Sequence, residues 1–135
     1  MPFTAAYQTY IFNWAFRNTA APASVATVYL GLSTADPLDD ASGNAEPAGF
    51  AYARQAIAFD APASVNGVGT SGPNSANIVF PTATGGAWGL ITHGTLWDAL
   101  TLGNMIAYVQ WAIAQNIADG NTFAVAAADL VPLIR

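Results

Sequence analysis

The chain has 135 residues, of which 53% are hydrophobic and only 8% charged, against roughly 25% charged in an ordinary globular domain. It contains no lysine and no cysteine, and three arginines against eight acids leave a net charge of −5. Disulfides and thiolate chemistry are excluded, and neither nucleic acid nor an anionic membrane is expected as a partner, because both are held by clustered cations. A free-standing protein keeps apart from its neighbours through a charged, patch-free surface. A chain that discards most of its charge is therefore read first as a component of an assembly. The length suits one domain with its own core. Met1-Pro2-Phe3-Thr4 lacks the basic start of a secretion leader, so none is expected. The most apolar tract, Asn104–Ala114, is too short to cross a bilayer.

Residues 4–18 read as a helix, with Thr4 as its cap, Tyr7, Tyr10, Ile11 and Trp14 on one face, and Arg17 in the last turn. Thr19–Ser24, with Pro22, reads as a linker. From Ala26 the period changes to two, and Ala26–Ser33 predicts a half-buried strand. Asp36–Gly49 is predicted as a long surface loop carrying Asp36, Asp39, Asp40 and Glu46 without a base among them. Ala51–Phe59 alternates again, with Ile57 and Phe59 on one face and Arg54 on the other. Pro62–Pro73 reads as a second loop or short edge segment, Ser75–Phe80 as a brief strand and Pro81–Gly86 as a turn.

Trp88–Asp98 predicts a longer strand, with Trp88, Leu90 and Leu96 on one face and Ile91, His93 and Trp97 on the other. Leu102-Gly103-Asn104 turns the chain into Met105–Ile113, where Met105, Ala107, Val109 and Trp111 align. Asp119-Gly120 signals a hairpin, and Thr122–Ile134 supplies one strand or two, with Pro132 suggesting an edge. The pattern predicts a mainly all-β fold: an antiparallel β-sandwich, Ig-like or jelly-roll-like, preceded by one N-terminal α-helix. Residues 1–24 are expected to form a helical arm with its linker, and residues 25–135 the sandwich domain.

Chemistry finds little foothold. His93 is the only histidine, and a general base needs a nucleophile and an orienting acid beside it. Zinc would find no cysteine and one histidine. The spacing of Asp36–Glu46 does not match an EF-hand loop, so calcium is not the expected reading there. No catalytic residue, cofactor or metal is expected. The four tryptophans, Trp14, Trp88, Trp97 and Trp111, are many for this length. They are read as core filling, as interface anchors, or as platforms for sugar rings, the last requiring exposed Trp rings that line a groove. The candidate interface residues are Phe3, Tyr7, Phe12, Trp14, Phe16 and Trp97.

Several stretches together resemble a known family. They are Phe16-Arg17-Asn18-Thr19, Ala21-Pro22-Ala23, Thr27-Val28-Tyr29-Leu30-Gly31-Leu32-Ser33-Thr34-Ala35-Asp36-Pro37, Glu46, Tyr52-Ala53-Arg54-Gln55, Phe80-Pro81-Thr82-Ala83-Thr84-Gly85, Trp88-Gly89, Ile91-Thr92-His93, Asp98-Ala99 and Gly103-Asn104. In this order they are similar to small virion proteins of tailed bacteriophages and prophages, tail fibre-like in part, some of them resembling capsid cement (decoration) proteins. The resemblance covers nearly the whole chain and implies a β-rich structural protein of the virion without enzymatic activity. Low charge along the whole length favours a cement protein on the outer surface of the head, with the major capsid protein and copies of itself as partners, a trimer at a local symmetry axis being the homo-oligomer that symmetry suggests. The alternative is a tail, baseplate or fibre-associated structural protein, with a receptor or carbohydrate-binding role as one possibility within it.

Overall fold

The computed structural model describes residues 3–20, 24–65, 68–70 and 72–132. Among the described residues one helix, α1 (Ala5–Phe16), leads into eight strands: β1 (Val28–Ser33), β2 (Gln55–Ile57), β3 (Ala63–Val65), β4 (Val68–Thr70), β5 (Ile78–Val79), β6 (Gly89–Trp97), β7 (Met105–Ile117) and β8 (Ala124–Val125). All strand pairs are antiparallel. The main sheet runs β2-β1-β6-β7, while β3–β4 and β5–β8 form two-stranded ladders. The mainly β fold with one N-terminal helix agrees with the alternating pattern of the sequence.

The register places side chains on the two faces of the main sheet. Leu30, Leu96 and Ala107 share one row, and Leu32, Gly94 and Val109 the next. This face packs with Ile78, Phe80, Phe123, Val125 and Leu130 from the β5–β8 side into a single apolar core. Aromatic rings organise its middle: Phe80 meets Phe123 edge-on at 5.8 Å and Trp88 at 6.3 Å between centroids. The opposite face carries Tyr29 beside Trp97, Gly31 beside Thr95, and Ser33 beside His93. It is covered by the loop between β1 and β2, the segment that reads in sequence as a surface loop.

Three expectations change on the structure. Ile91 is wholly buried in the core and Leu90 is exposed, the reverse of the predicted faces. The cause is a break in register: His93 pairs with Gln110 but Ile91 pairs with Gln115, so four residues of β7 oppose Thr92 alone. Such a bulge resets the side-chain alternation. Second, Asp119-Gly120 turns the chain, with Gly120 at φ 84°, but does not fold β8 back onto β7. The turn instead brings Asn121 and Phe123 onto Ala83 and Phe80, where Ala83 N–H donates to Asn121 O and Phe80 N–H to Phe123 O. β8 therefore pairs with β5. Third, 62–73 holds the β3–β4 hairpin where a loop or edge segment is predicted.

Beyond β8 the chain is pinned by a buried asparagine. Asn74 Nδ2 donates to the carbonyls of Ala76 and Ala126, and its Oδ1 accepts from Leu130 N–H at 2.8 Å. These bonds hold 126–130 as a turn, so Asp129 sits exposed on a turn and not within a strand. Leu133 and Ile134, the end of the predicted last run, lie outside the described residues.

Candidate assembly interface and the buried pin beneath it

α1 follows from its sequence: twelve residues without glycine, proline or charge. Thr4 occupies the cap position, but its hydroxyl does not cap the helix. It donates instead to Met105 O at 2.8 Å, while Thr4 N–H donates to Ile106 O and Ala5 N–H to Asp39 O. Phe3 forms an antiparallel bridge with Ala107. The base of the helix is thus stapled to the outer edge of β7. Arg17 is the C-cap residue, one position past the last helical turn, and its Nη1 donates to Asn13 Oδ1.

Above that base the helix stands clear of the fold. None of its residues is buried. Tyr7 alone packs against the core margin. Its phenol is held above its ordinary pKa, first by burial and then by the charge of Asp98. Tyr10, Ile11 and Trp14 continue that stripe into solvent, and Phe12 and Phe16 make a second stripe on the opposite side, their rings 5.1 Å apart. Phe16 is 76% exposed, Trp14 57% and Phe12 56%. At roughly 200 Å² per aromatic side chain, α1 offers roughly 500 Å² of uncovered apolar surface. Split between opposite sides of the helix, that area is more than one flat partner surface would cover.

Of the six residues read from sequence as interface candidates, Phe12, Trp14 and Phe16 are exposed on α1, and Phe3 and Tyr7 are half-buried at its base. Trp97 is different: it is buried within the fold, 7% exposed, so its ring is not presented to a partner. Its indole Nε1 donates to Thr95 Oγ1 at 2.8 Å, and the guanidinium of Arg54 lies over the ring, with Cζ 3.8 Å from its centroid.

That contact belongs to a network that sequence reading did not assemble. Arg54 Nε and Nη2 donate to the two carboxylate oxygens of Glu46, both at 2.8 Å, and Nη1 donates to the carbonyls of Ala99 and Leu102. Tyr52 hydroxyl donates to Glu46 Oε1 at 2.7 Å and accepts from Leu32 N–H at 2.8 Å. β2 pairs with β1 only as far as Leu30, so the phenol satisfies a strand donor beyond the ladder's end. Burial, and next the Glu46 charge, push the Tyr52 phenol far above its ordinary pKa. Gly31 makes room for the arrangement: a Cβ there would come within 2.8 Å of Thr95 Oγ1 and 3.0 Å of Glu46 Oε1. The fork ties the β1–β2 loop, the β6–β7 turn and the polar face of the main sheet together.

His93 is buried, with Nδ1 2.8 Å from Thr92 Oγ1. Among the described residues no three His, Asp or Glu side chains gather to hold a metal. In the acidic loop, Asp36 and Asp40 accept hydrogen bonds from backbone N–H groups two residues on, and Asp39 accepts from Tyr108 hydroxyl at 2.9 Å. These bonds shape turns.

A protein-family model described as Podophage GP4 fiber I protein gp80 matches residues 2–132. The chain belongs to that family. It is thereby a phage structural protein, as the virion-protein resemblance implied. No curated protein matches the chain. The family favours the fibre-associated alternative over the capsid cement role first expected, and nothing in it supports a place on the head surface. The sparsely charged chain fits either position, because low charge reports coverage by protein without saying which protein.

Proposed function

We propose that this protein is a structural component of a phage tail fibre, and that α1 is the element by which it is built into the fibre. The observation that carries the reading is the helix itself: apolar stripes on opposite sides, no charge from Ala5 to Phe16, and no buried residue. A helix with apolar stripes on opposite sides cannot bury both against a single surface and is normally enclosed. The fold of one chain encloses only its base, so further copies of the chain are the natural cover. Identical uncharged faces meet without repulsion, and closed symmetry multiplies the same contact around an axis. A trimer is the working assembly. The role is mechanical, resting on buried apolar area and the rigid Arg54 fork, and no reaction is assigned.

Quantitative mass spectrometry of purified virions tests this. A small copy number in multiples of three, set by tail symmetry, is expected. A copy number comparable with that of the major capsid protein would return the protein to the shell and overturn the fibre reading.

A further inference from the structure

The β7 bulge shapes a second feature, on the other side of the molecule from the Arg54 fork. Between β7 and the segment 123–131 lies an open groove of about 490 Å³. Trp111 is its half-buried aromatic ring, backed by the buried Phe123, whose ring lies 5.5 Å away and tilted by 49°, and by the buried Leu130. The six-membered ring of Trp111 fills the space where a side chain at Gly94 would stand. Its Nε1–H is buried without an acceptor among the described residues, so packing alone holds the ring there. Gln110, Gln115 and Asp129 line the rim, all exposed, and their side chains make no hydrogen bond among the described residues. Trp88 and Trp97 are buried. Of the three tryptophans outside α1, Trp111 alone meets the requirement for sugar binding set out from the sequence: a partly exposed ring lining a groove.

We propose that this groove binds a neutral saccharide; the inference rests on the fibre reading above and names a ligand class for it. The lining selects among ligands by its chemistry. Among the described residues no cation lines the groove and Asp129 is the one ionisable group there, so phosphate, sulfate and acidic sugars meet a like charge. A purely apolar ligand would strip water from two amides and a carboxylate without replacing their hydrogen bonds. A peptide adding as a strand needs a regular edge, and the four-against-one bulge at Trp111–Ala114 breaks it. A pyranose satisfies both halves of the site. Its C–H faces, slightly positive, suit the electron-rich face of Trp111, the half-buried ring of the pair. Its hydroxyls give and take hydrogen bonds with Gln110, Gln115 and Asp129. The volume lies within the range of small-ligand sites, enough for one or two sugar rings.

The test is binding of the full-length protein to an array of neutral hexose, deoxyhexose and N-acetylhexosamine oligosaccharides, with phosphorylated and sialylated glycans beside them, followed by calorimetry on the strongest binder. Binding to a neutral glycan is expected, weakened about tenfold or more by Asp129→Ala, since a hydrogen bond to a charged group is worth about 1.5–3 kcal/mol, and about threefold by Gln115→Ala, where both partners are neutral. Both side chains are exposed, so the variants keep the fold. Thr101→Ala, exposed on the β6–β7 turn and outside both the groove and α1, should leave binding unchanged. An array on which no neutral glycan binds, binding confined to acidic glycans, or binding indifferent to both groove variants overturns the proposal. If Ile113→Asp instead dissolves an oligomer of a chain that binds no glycan, the groove is a contact between copies. A negative array from a protein that sits on the tail defeats only the saccharide; a protein found on the head defeats the fibre reading whatever the array shows.

Discussion

Arg54 is the residue on which the polar side of the fold turns. It is 8% exposed and its charge is met by Glu46, two carbonyls and the Trp97 ring. Removing one member of a buried pair leaves the other charge stranded, a loss of about 3–5 kcal/mol. Arg54→Ala is therefore expected to lower stability by that amount in urea unfolding. Arg54→Lys should recover little, since an ammonium cannot span a carboxylate and two carbonyls as a planar fork does. Tyr52 adds a pH signature. Its folded pKa is raised, so the folded state keeps its proton while the unfolded chain, with an ordinary phenol near pKa ~10, releases it. The stabilisation is fully present below about pH 9 and is lost as pH climbs beyond about 10. Tyr52→Phe should flatten that alkaline fall in a pH series of unfolding midpoints, though the variant starts from lower stability. The sequence shows Glu46 and the Tyr52-Ala53-Arg54-Gln55 stretch among the recurring motifs but not their meeting. Arg54 lies eight residues from Glu46 and 45 from Ala99, and only the β1–β6 pairing brings those segments together.

At the scale of elements, α1 and β7 carry the testable content. Phe12→Ser and Phe16→Ser change side chains that touch little of their own chain, so each should shift monomer stability by less than about 0.5 kcal/mol. Both should weaken self-association, read by sedimentation equilibrium. Gly94→Ala drives a methyl into the Trp111 ring and should cost about 1–3 kcal/mol through overpacking. Helix, strand positions and the Leu102-Gly103-Asn104 turn were legible because each depends on neighbours in sequence. Gly103, at φ 77°, sits where the β6–β7 turn needs it. The bulge was not legible. Gln110-Trp111-Ala112-Ile113-Ala114 reads as an unbroken strand, and what breaks the ladder is the match to β6, a tertiary fact. The faces of Leu90 and Ile91 were misassigned for the same reason. Burial of Trp97 was hidden because its cover, Arg54, comes from a distant strand start.

For the whole molecule, composition and assembly are one argument. A helix without a charged residue cannot associate through ion pairs, so an assembly held by α1 should persist at 1 M salt, where the screening length falls to about 3 Å. Gel filtration in low and high salt reads this, and dissociation in high salt would point to the acidic loop instead. The sequence carried the assembly reading through its missing lysines, and the family match from 2 to 132 turned the preference from shell to fibre. Composition had no means of making that choice. The most direct measurement is electron microscopy of virions labelled with gold-conjugated antibody against the exposed segment Asp39–Ser42. Gold confined to the tail is the predicted result. Gold spread over the head surface would contradict the account.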